Sequence, residues 1–330
     1  TEGSGLNAQV AVTLTVVVVG FGSVHCAVRT WASGASSLLL PIVAFLTAIG
    51  FVEIYRIDRS LAGLQRFSLL LACAAAVGTL WLLRSSGVAI LRRYRYVALA
   101  IAVGLLMLPL LPDGWPIRGA TVNGSRLWVR FEIPSIDRVL SFQPGEIAKI
   151  LIVIFLASYL AERADAMAQV DRKIGPVKIP EPRNLGPILV AALAAFLILI
   201  YQRDLGASLL LFALFVTMLY IATARSFYVM AGVFLAGAAG LIAYNAFDHV
   251  ERRIEAWLDP FGNFTEAGYQ TVQGLFAMGS GSLTGSGLGL GRPDLIPAAT
   301  TDFIFAAVAE ELGLAGSIVV LAGFALFVAA

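Results

Sequence analysis

Charge is scarce in this sequence. Asp, Glu, Lys and Arg make up 13% of its 330 residues, where an average soluble domain has about a quarter. Hydrophobic residues reach 59% and mean hydropathy is +0.86. One water-soluble core cannot hide that much apolar surface, so an ordinary soluble domain is excluded and the bilayer is the solvent. A charge bias of one sign is missing too: the net charge of +2 gives no electrostatic footprint for nucleic acid, and no nucleic-acid partner is expected. Cysteine is nearly absent. Cys26 and Cys73 lie in separate apolar runs without ligand spacing and read as small hydrophobes in helices. The opening TEGSGLNAQ lacks the basic n-region of a cleavable signal peptide. The last residues, SIVVLAGFALFVAA, stop inside an apolar run without a polar tail, and a longer, C-terminally truncated parent chain is the expectation.

What the sequence has is long apolar runs. About 20 such residues cross the hydrocarbon core as a helix, and this length predicts spans near 8–28, 37–55, 67–83, 95–111, 146–161, 186–201, 206–223, 226–247 and 302–330. The runs do not alternate polar with apolar, which excludes a barrel. The fold class expected is all-α, a polytopic transmembrane helix bundle of about nine spans in a single membrane domain, 1–330. Three connections stand out: 112–145, the charged and proline-containing 162–185, and the glycine-rich 248–301. Arg84, Arg92, Arg93 and Arg95 crowd the loop after the third span, which the positive-inside rule makes cytoplasmic. That puts 162–185 inside and makes 248–301 a large extracytoplasmic loop. Arg56, Arg59 and Arg66 then fall in a short outer loop, against the rule.

Ionisable residues in or beside membrane spans need a reason. In SFQPGEIAKI, Pro144 suits a helix start, with Gln143 and Gly145 ending the loop. Glu146 and Lys149, three apart, share a helix face, either as a packing ion pair or as the charged floor of a polar cavity. Arg203 and Asp204 occupy a tight turn between two spans, where interfacial charge needs no function; the face they share with Glu146 makes a common site the alternative. In PAATTDFIFAAVAEELGLAG, Thr301 can cap a long helix and Asp302 favours its positive end. Glu310 lies on nearly the same face about 12 Å deeper, and Glu311 points elsewhere; two adjacent glutamates inside an apolar helix favour function. In loop 248–301 the glycines permit close backbone approach. A mere linker has no use for Trp257, Tyr269, Gln270 and Gln273, so a folded lid or groove wall is expected.

The blocks FQPGEIAK, QRDLGASLLLF, GYQTVQGLFAMGSGSLTGSGLGLG and TDFIFAAVAEELGLAG resemble, in order and spacing, the SEDS family of cell-wall proteins (shape, elongation, division and sporulation); NGSRLWV resembles the family's NGARRW element. The resemblance runs from about residue 37 to the end, leaving 1–36 as an extra N-terminal span before core spans one to eight. QPGE and the extra helix look like the elongation-type, RodA-like branch of actinobacteria. The departures are QRDLG for the commoner QPDLG, a longer RFEIPSIDRVLS link and the absence of the last two spans.

The resemblance implies a peptidoglycan glycosyltransferase in the bacterial plasma (inner) membrane. It would polymerise lipid II into undecaprenyl-linked glycan during cell-wall elongation, beside a class B penicillin-binding protein and in contact with membrane lipid. It also implies that Asp302 is the essential carboxylate. Its physical role would be general base at the acceptor sugar 4-hydroxyl, which burial or a neighbouring carboxylate would have to tune. Arg126, Lys149 and more weakly Arg203 are candidates for the departing diphosphate. Trp128 would pack against a sugar or lipid, and Glu146 would hold Lys149 or a divalent cation, although no spacing defines a metal site. Two rivals explain the intramembrane charges: a lipid II flippase or transporter, and a non-catalytic scaffold for a penicillin-binding protein.

Overall fold

The structure, a computed structural model, describes residues 2–112, 117–122, 125–133, 138–169, 172–174, 177–179, 205–264 and 268–330. Seven helices in them are long and apolar enough to cross a membrane, and a shorter apolar helix, Arg95–Leu110, lies where a fourth span was expected. Every predicted span within the described residues thus coincides with an apolar helix; 186–201 lies outside them. The chain divides into two compact units, Thr1–Gly87 with Ala243–Ala330, and Val88–Ile242.

The first unit contains α1 (Glu2–Trp31), α2 (Leu39–Ile57), α3 (Ala62–Ser86) and, after the second unit, three further helices. Rows of exposed Leu, Val and Phe on α1 to α3 are what lipid-facing helices require. Small residues let α1 and α3 approach: a Cβ at Gly20 would meet the Cys73 sulfur at 3.1 Å. The Arg66 guanidinium on α3 donates to the Thr13 hydroxyl on α1 at 3.1 Å.

The second unit contains α4 (Ala89–Arg93), α5 (Arg95–Met107), α6 (Pro144–Gln169), α7 (Leu205–Thr223) and α8 (Ser226–Ala246), which leads back into the first. Of the described spans α6 is the most enclosed, with 44% of its apolar window buried against 6% for the span over α3. Ala148, Ile152, Phe155, Leu156, Tyr159 and Leu160 of α6 form a core with Ala102 and Leu106 of α5 and Leu211, Phe215 and Leu219 of α7. The loop before α6 was not expected to be regular. It carries a three-stranded antiparallel sheet, β1 (Ile117–Val122), β2 (Ser125–Ile133) and β3 (Arg138–Phe142), in the order β1-β2-β3. The stretch LWVRFEI has the β-branched and aromatic content that strands favour. A second pair, β4 (Arg172–Ile174) and β5 (Val177–Ile179), follows α6.

Candidate functional site

In the first unit the chain runs through α9 (Asp248–Leu258) and α10 (Tyr269–Ser280), then an extended glycine-rich segment, then α11 (Ile304–Ala329). The last helix is not continuous. Gly313 has φ 64°, in the left-handed region, and interrupts α11 one residue beyond the Glu310–Glu311 pair and Leu312. Inside a membrane the backbone groups freed by such a break must find partners within the protein. The glycine-rich segment supplies them. The Glu310 carbonyl accepts from the Ser286 amide (2.9 Å) and hydroxyl (2.9 Å), and the Glu311 carbonyl from the Gly287 amide (3.1 Å). On the far side of the break, the Leu314 and Ala315 amides donate to the carbonyls of Ser282 (3.0 Å) and Leu283 (3.1 Å). The approach requires glycine: at Gly285, with φ 85°, a Cβ would fall on the Glu311 carbonyl, and at Gly313 it would fall on the Gly285 amide.

The two glutamate side chains hold the same segment. Glu310 Oε1 accepts from the Arg292 amide at 2.9 Å, and Glu311 Oε2 from the Gly289 amide at 3.0 Å. Glu311 is buried and forms an ion pair with Arg56, whose other Nη donates to the Gly291 carbonyl at 2.9 Å. Glu53, also buried, lies within electrostatic reach of Glu311 and Arg56. The segment expected to be a lid is therefore stitched into the membrane helix. Glu311, set aside in the sequence, is as engaged as Glu310. Glu53 and Arg56 were missed as site candidates; the signal available was a glutamate within an apolar span, where each ionisable group needs a partner.

Asp302 lies in a turn, not in the first helical turn. The residue before the helix is Phe303, with no side-chain cap, and the Thr301 hydroxyl donates back to the Ala298 carbonyl at 3.3 Å. The capping role expected for Thr301 and Asp302 is thus corrected. The Ala298 carbonyl also accepts the amides of Thr301 (3.0 Å) and Phe303 (3.2 Å), and this delays the helix to Ile304. Asp302 is exposed, and among the described residues its carboxylate has no hydrogen-bond or ion-pair partner. The turn rests on a cluster of Ala277, Ile296, Ala299, Ala306 and Ala307, against which Phe303 packs. Gln270 of α10 reaches across to it, donating from Nε2 to the Pro297 carbonyl at 3.2 Å. Tyr269 stacks edge-on against Phe264 at 5.7 Å, and Gln273, one helical turn beyond Tyr269, is half-buried.

The second unit places another group of expected residues. α6 starts at Pro144, as predicted, and the Gln143 carbonyl accepts the Glu146 amide at 3.2 Å. Lys149 Nζ donates to Glu146 Oε1 at 2.8 Å. Beside this pair runs a cavity of about 340 Å³ lined by Ile147, Ile150 and Val153 of α6 and Leu210, Leu211 and Leu214 of α7. Arg126 and Trp128 are two apart on β2 and so share a strand face. The Arg126 guanidinium donates to the Leu111 carbonyl at 3.0 Å. Arg203 and Asp204 lie outside the described residues. Glu146 Oε1 is taken by the Lys149 ammonium, and among the described residues no group of three or more His, Cys, Asp or Glu is placed to hold a metal ion.

Together these features define a multi-pass helical membrane protein with a broken helix, a stitched glycine-rich segment and an exposed aspartate in a braced turn. The FtsW/RodA/SpoVE profile, described as a cell cycle protein family, matches residues 14–330, and the chain belongs to that family. It is 38% identical over 307 residues to the peptidoglycan glycosyltransferase RodA of Mycobacterium leprae, covering 90% of this chain and 63% of that protein. It is 36% identical over 268 residues to the probable peptidoglycan glycosyltransferase FtsW of Nitrosococcus halophilus, covering 80% of this chain and 62% of that protein. The chain therefore spans somewhat less than two thirds of the length of these relatives. Among solved structures it matches, with TM-score 0.65 and 25% identity, a chain described under "Structural coordination of polymerization and crosslinking by a peptidoglycan synthase complex"; 88% of this chain and 75% of that one are covered.

Proposed function

We propose that this chain is the membrane core of a peptidoglycan glycosyltransferase of the bacterial plasma membrane, polymerising lipid II during cell-wall elongation beside a class B penicillin-binding protein. The names of its relatives support the activity, and the solved peptidoglycan synthase complex supports a crosslinking partner. The observation that carries the proposal is Asp302, an exposed carboxylate held in a turn that the Ala298 carbonyl and Gln270 both brace. A base so placed takes the proton of an acceptor sugar 4-hydroxyl. The oxygen attacks the donor's anomeric carbon, and the bond from that carbon to the lipid diphosphate breaks.

In the second unit, an apolar trough with an ammonium beside it has the chemistry of a seat for a lipid-linked diphosphate, its chain on Ile150, Val153 and Leu214 and its phosphates near Lys149. Arg126 is a further candidate for phosphate contact and Trp128 for the sugar or lipid. Transport has less support. The charges inside the first unit's spans that would suggest it, Glu310, Glu311 and Arg56, already hold the glycine-rich segment.

The test is Asp302→Asn in the complete protein with its partner, assayed on labelled lipid II. General-base removal is expected to lower polymerisation by about 100-fold or more. Near-normal polymer from a folded variant would sink the assignment, and lipid translocation without polymer by the native protein would establish the flippase instead.

A further inference from the structure

The second unit holds a cavity that the proposed reaction does not use. It measures about 400 Å³ and is lined by Arg92 and Arg93 at the end of α4, Arg95 and Tyr96 at the start of α5, and Glu162 on α6. Three guanidiniums face one carboxylate. Among the described residues only Arg95 has an ion pair, with Glu162; Arg93 lies over the Tyr94 ring at 5.7 Å, and Arg92 has no partner there. The only other charged side chain described beside Glu162, Arg163, adds to the positive excess and lies over the Tyr159 ring at 5.7 Å. With two guanidiniums uncompensated among the described residues, the lining selects an anion, and planar guanidiniums suit phosphate oxygens.

Its location says which anion. Arg95 opens the apolar helix that runs to Leu110, and Arg163 closes the apolar span that starts at Pro144, so the cavity lies at the boundary between hydrocarbon and water. Tyr94 and Tyr96 are about half exposed there, as interfacial aromatics are. From the cavity, Val97 and Ile101, four residues apart and both exposed, continue down one face of α5. The ligand has an anionic head at the boundary and an apolar chain below it. The arginine excess puts this boundary in the cytoplasmic leaflet, where anionic lipids attract such clusters.

We propose that Arg92, Arg93 and Arg95 form a headgroup site for an anionic phospholipid of the cytoplasmic leaflet, with an acyl chain along Val97 and Ile101. Glu162 holds Arg95 in place and leaves Arg92 and Arg93 to the phosphate.

The experiment uses the complete protein, purified from mixed vesicles of phosphatidylglycerol and phosphatidylcholine, with retained lipid measured by native mass spectrometry. The native protein is expected to retain phosphatidylglycerol preferentially, and the R92Q/R93Q double variant to lose that preference by about 30-fold. R92K/R93K, which keeps the charge, should keep most of it. R29Q/R84Q, which removes two arginines from the first unit, should leave it unchanged. Unaltered preference in R92Q/R93Q, or equal loss in R29Q/R84Q, would overturn the proposal. So would release of the lipid by excess inorganic phosphate, which would assign the cavity to a soluble anion.

Discussion

Arg56 offers the sharpest test of how the broken helix is held. One of its Nη atoms is on Glu311 and the other donates to the Gly291 carbonyl at 2.9 Å. Its side chain is 20% exposed, while that of Glu311 is fully buried, so little of the interaction is screened by water. Arg56→Leu leaves Glu311, with Glu53 within reach, in a buried site without its cation. Removing one partner of a buried pair costs about 3–5 kcal/mol, and the exposed fifth of Arg56 argues for the lower end. About 3 kcal/mol corresponds to roughly 100-fold in the opening equilibrium of the segment it pins. Hydrogen exchange should report this at the amides that the helix break holds, Gly287, Gly289 and Arg292. Their exchange should rise by about two orders of magnitude, while the interior of α3 is unchanged. The double variant Arg56→Leu/Glu311→Leu should recover part of the loss, because it removes the stranded charge. Arg59→Leu, an exposed arginine over the Tyr55 ring, is the control and should do little. Exchange in Arg56→Leu within about threefold of native would refute the claim that this pair secures the segment.

Three further outcomes follow from the same geometry. Gly313→Ala forces a side chain into the left-handed region and onto the Gly285 amide; it should cost more than about 2 kcal/mol, read as a lower melting midpoint in detergent, whereas Gly104→Ala, with open space around it inside α5, should be neutral or stabilising. Gln270→Ala removes the bond to the Pro297 carbonyl and should slow polymerisation about fivefold, equivalent to roughly 1 kcal/mol, with the melting midpoint little changed; an unaltered rate would show that the turn carrying Asp302 needs no brace from α10. The Arg292 guanidinium beside Asp294 holds that carboxyl below its ordinary value. Because the folded value is the lower one, the stability it adds is complete above the unfolded value of about 4 and is lost only as pH falls through the folded value. The Asp294 carboxyl carbon should therefore be pH-independent between about 5 and 8 by isotope-edited NMR, and titration at or above the ordinary carboxylate value would refute the pairing.

The sequence by itself determined the membrane class, the placement of every span within the described residues, the start of α6 at Pro144 and the Glu146–Lys149 pair, because each follows from local composition or from spacing along one helix. Its motifs also named the family. Tertiary structure decided what crosses between distant stretches of chain. Arg56 and Glu311 are 255 positions apart, and nothing in an apolar run announces that a span will open at Gly313 to receive a loop thirty residues upstream; the reason it can open is that the loop's amides and carbonyls take up the Glu310 and Glu311 carbonyls and the Leu314 and Ala315 amides. The same exchange explains why Thr301 does not cap the helix. The Ala298 carbonyl captures the amides of the turn first and leaves Asp302 outside the helix, exposed, on a support that only the fold assembles.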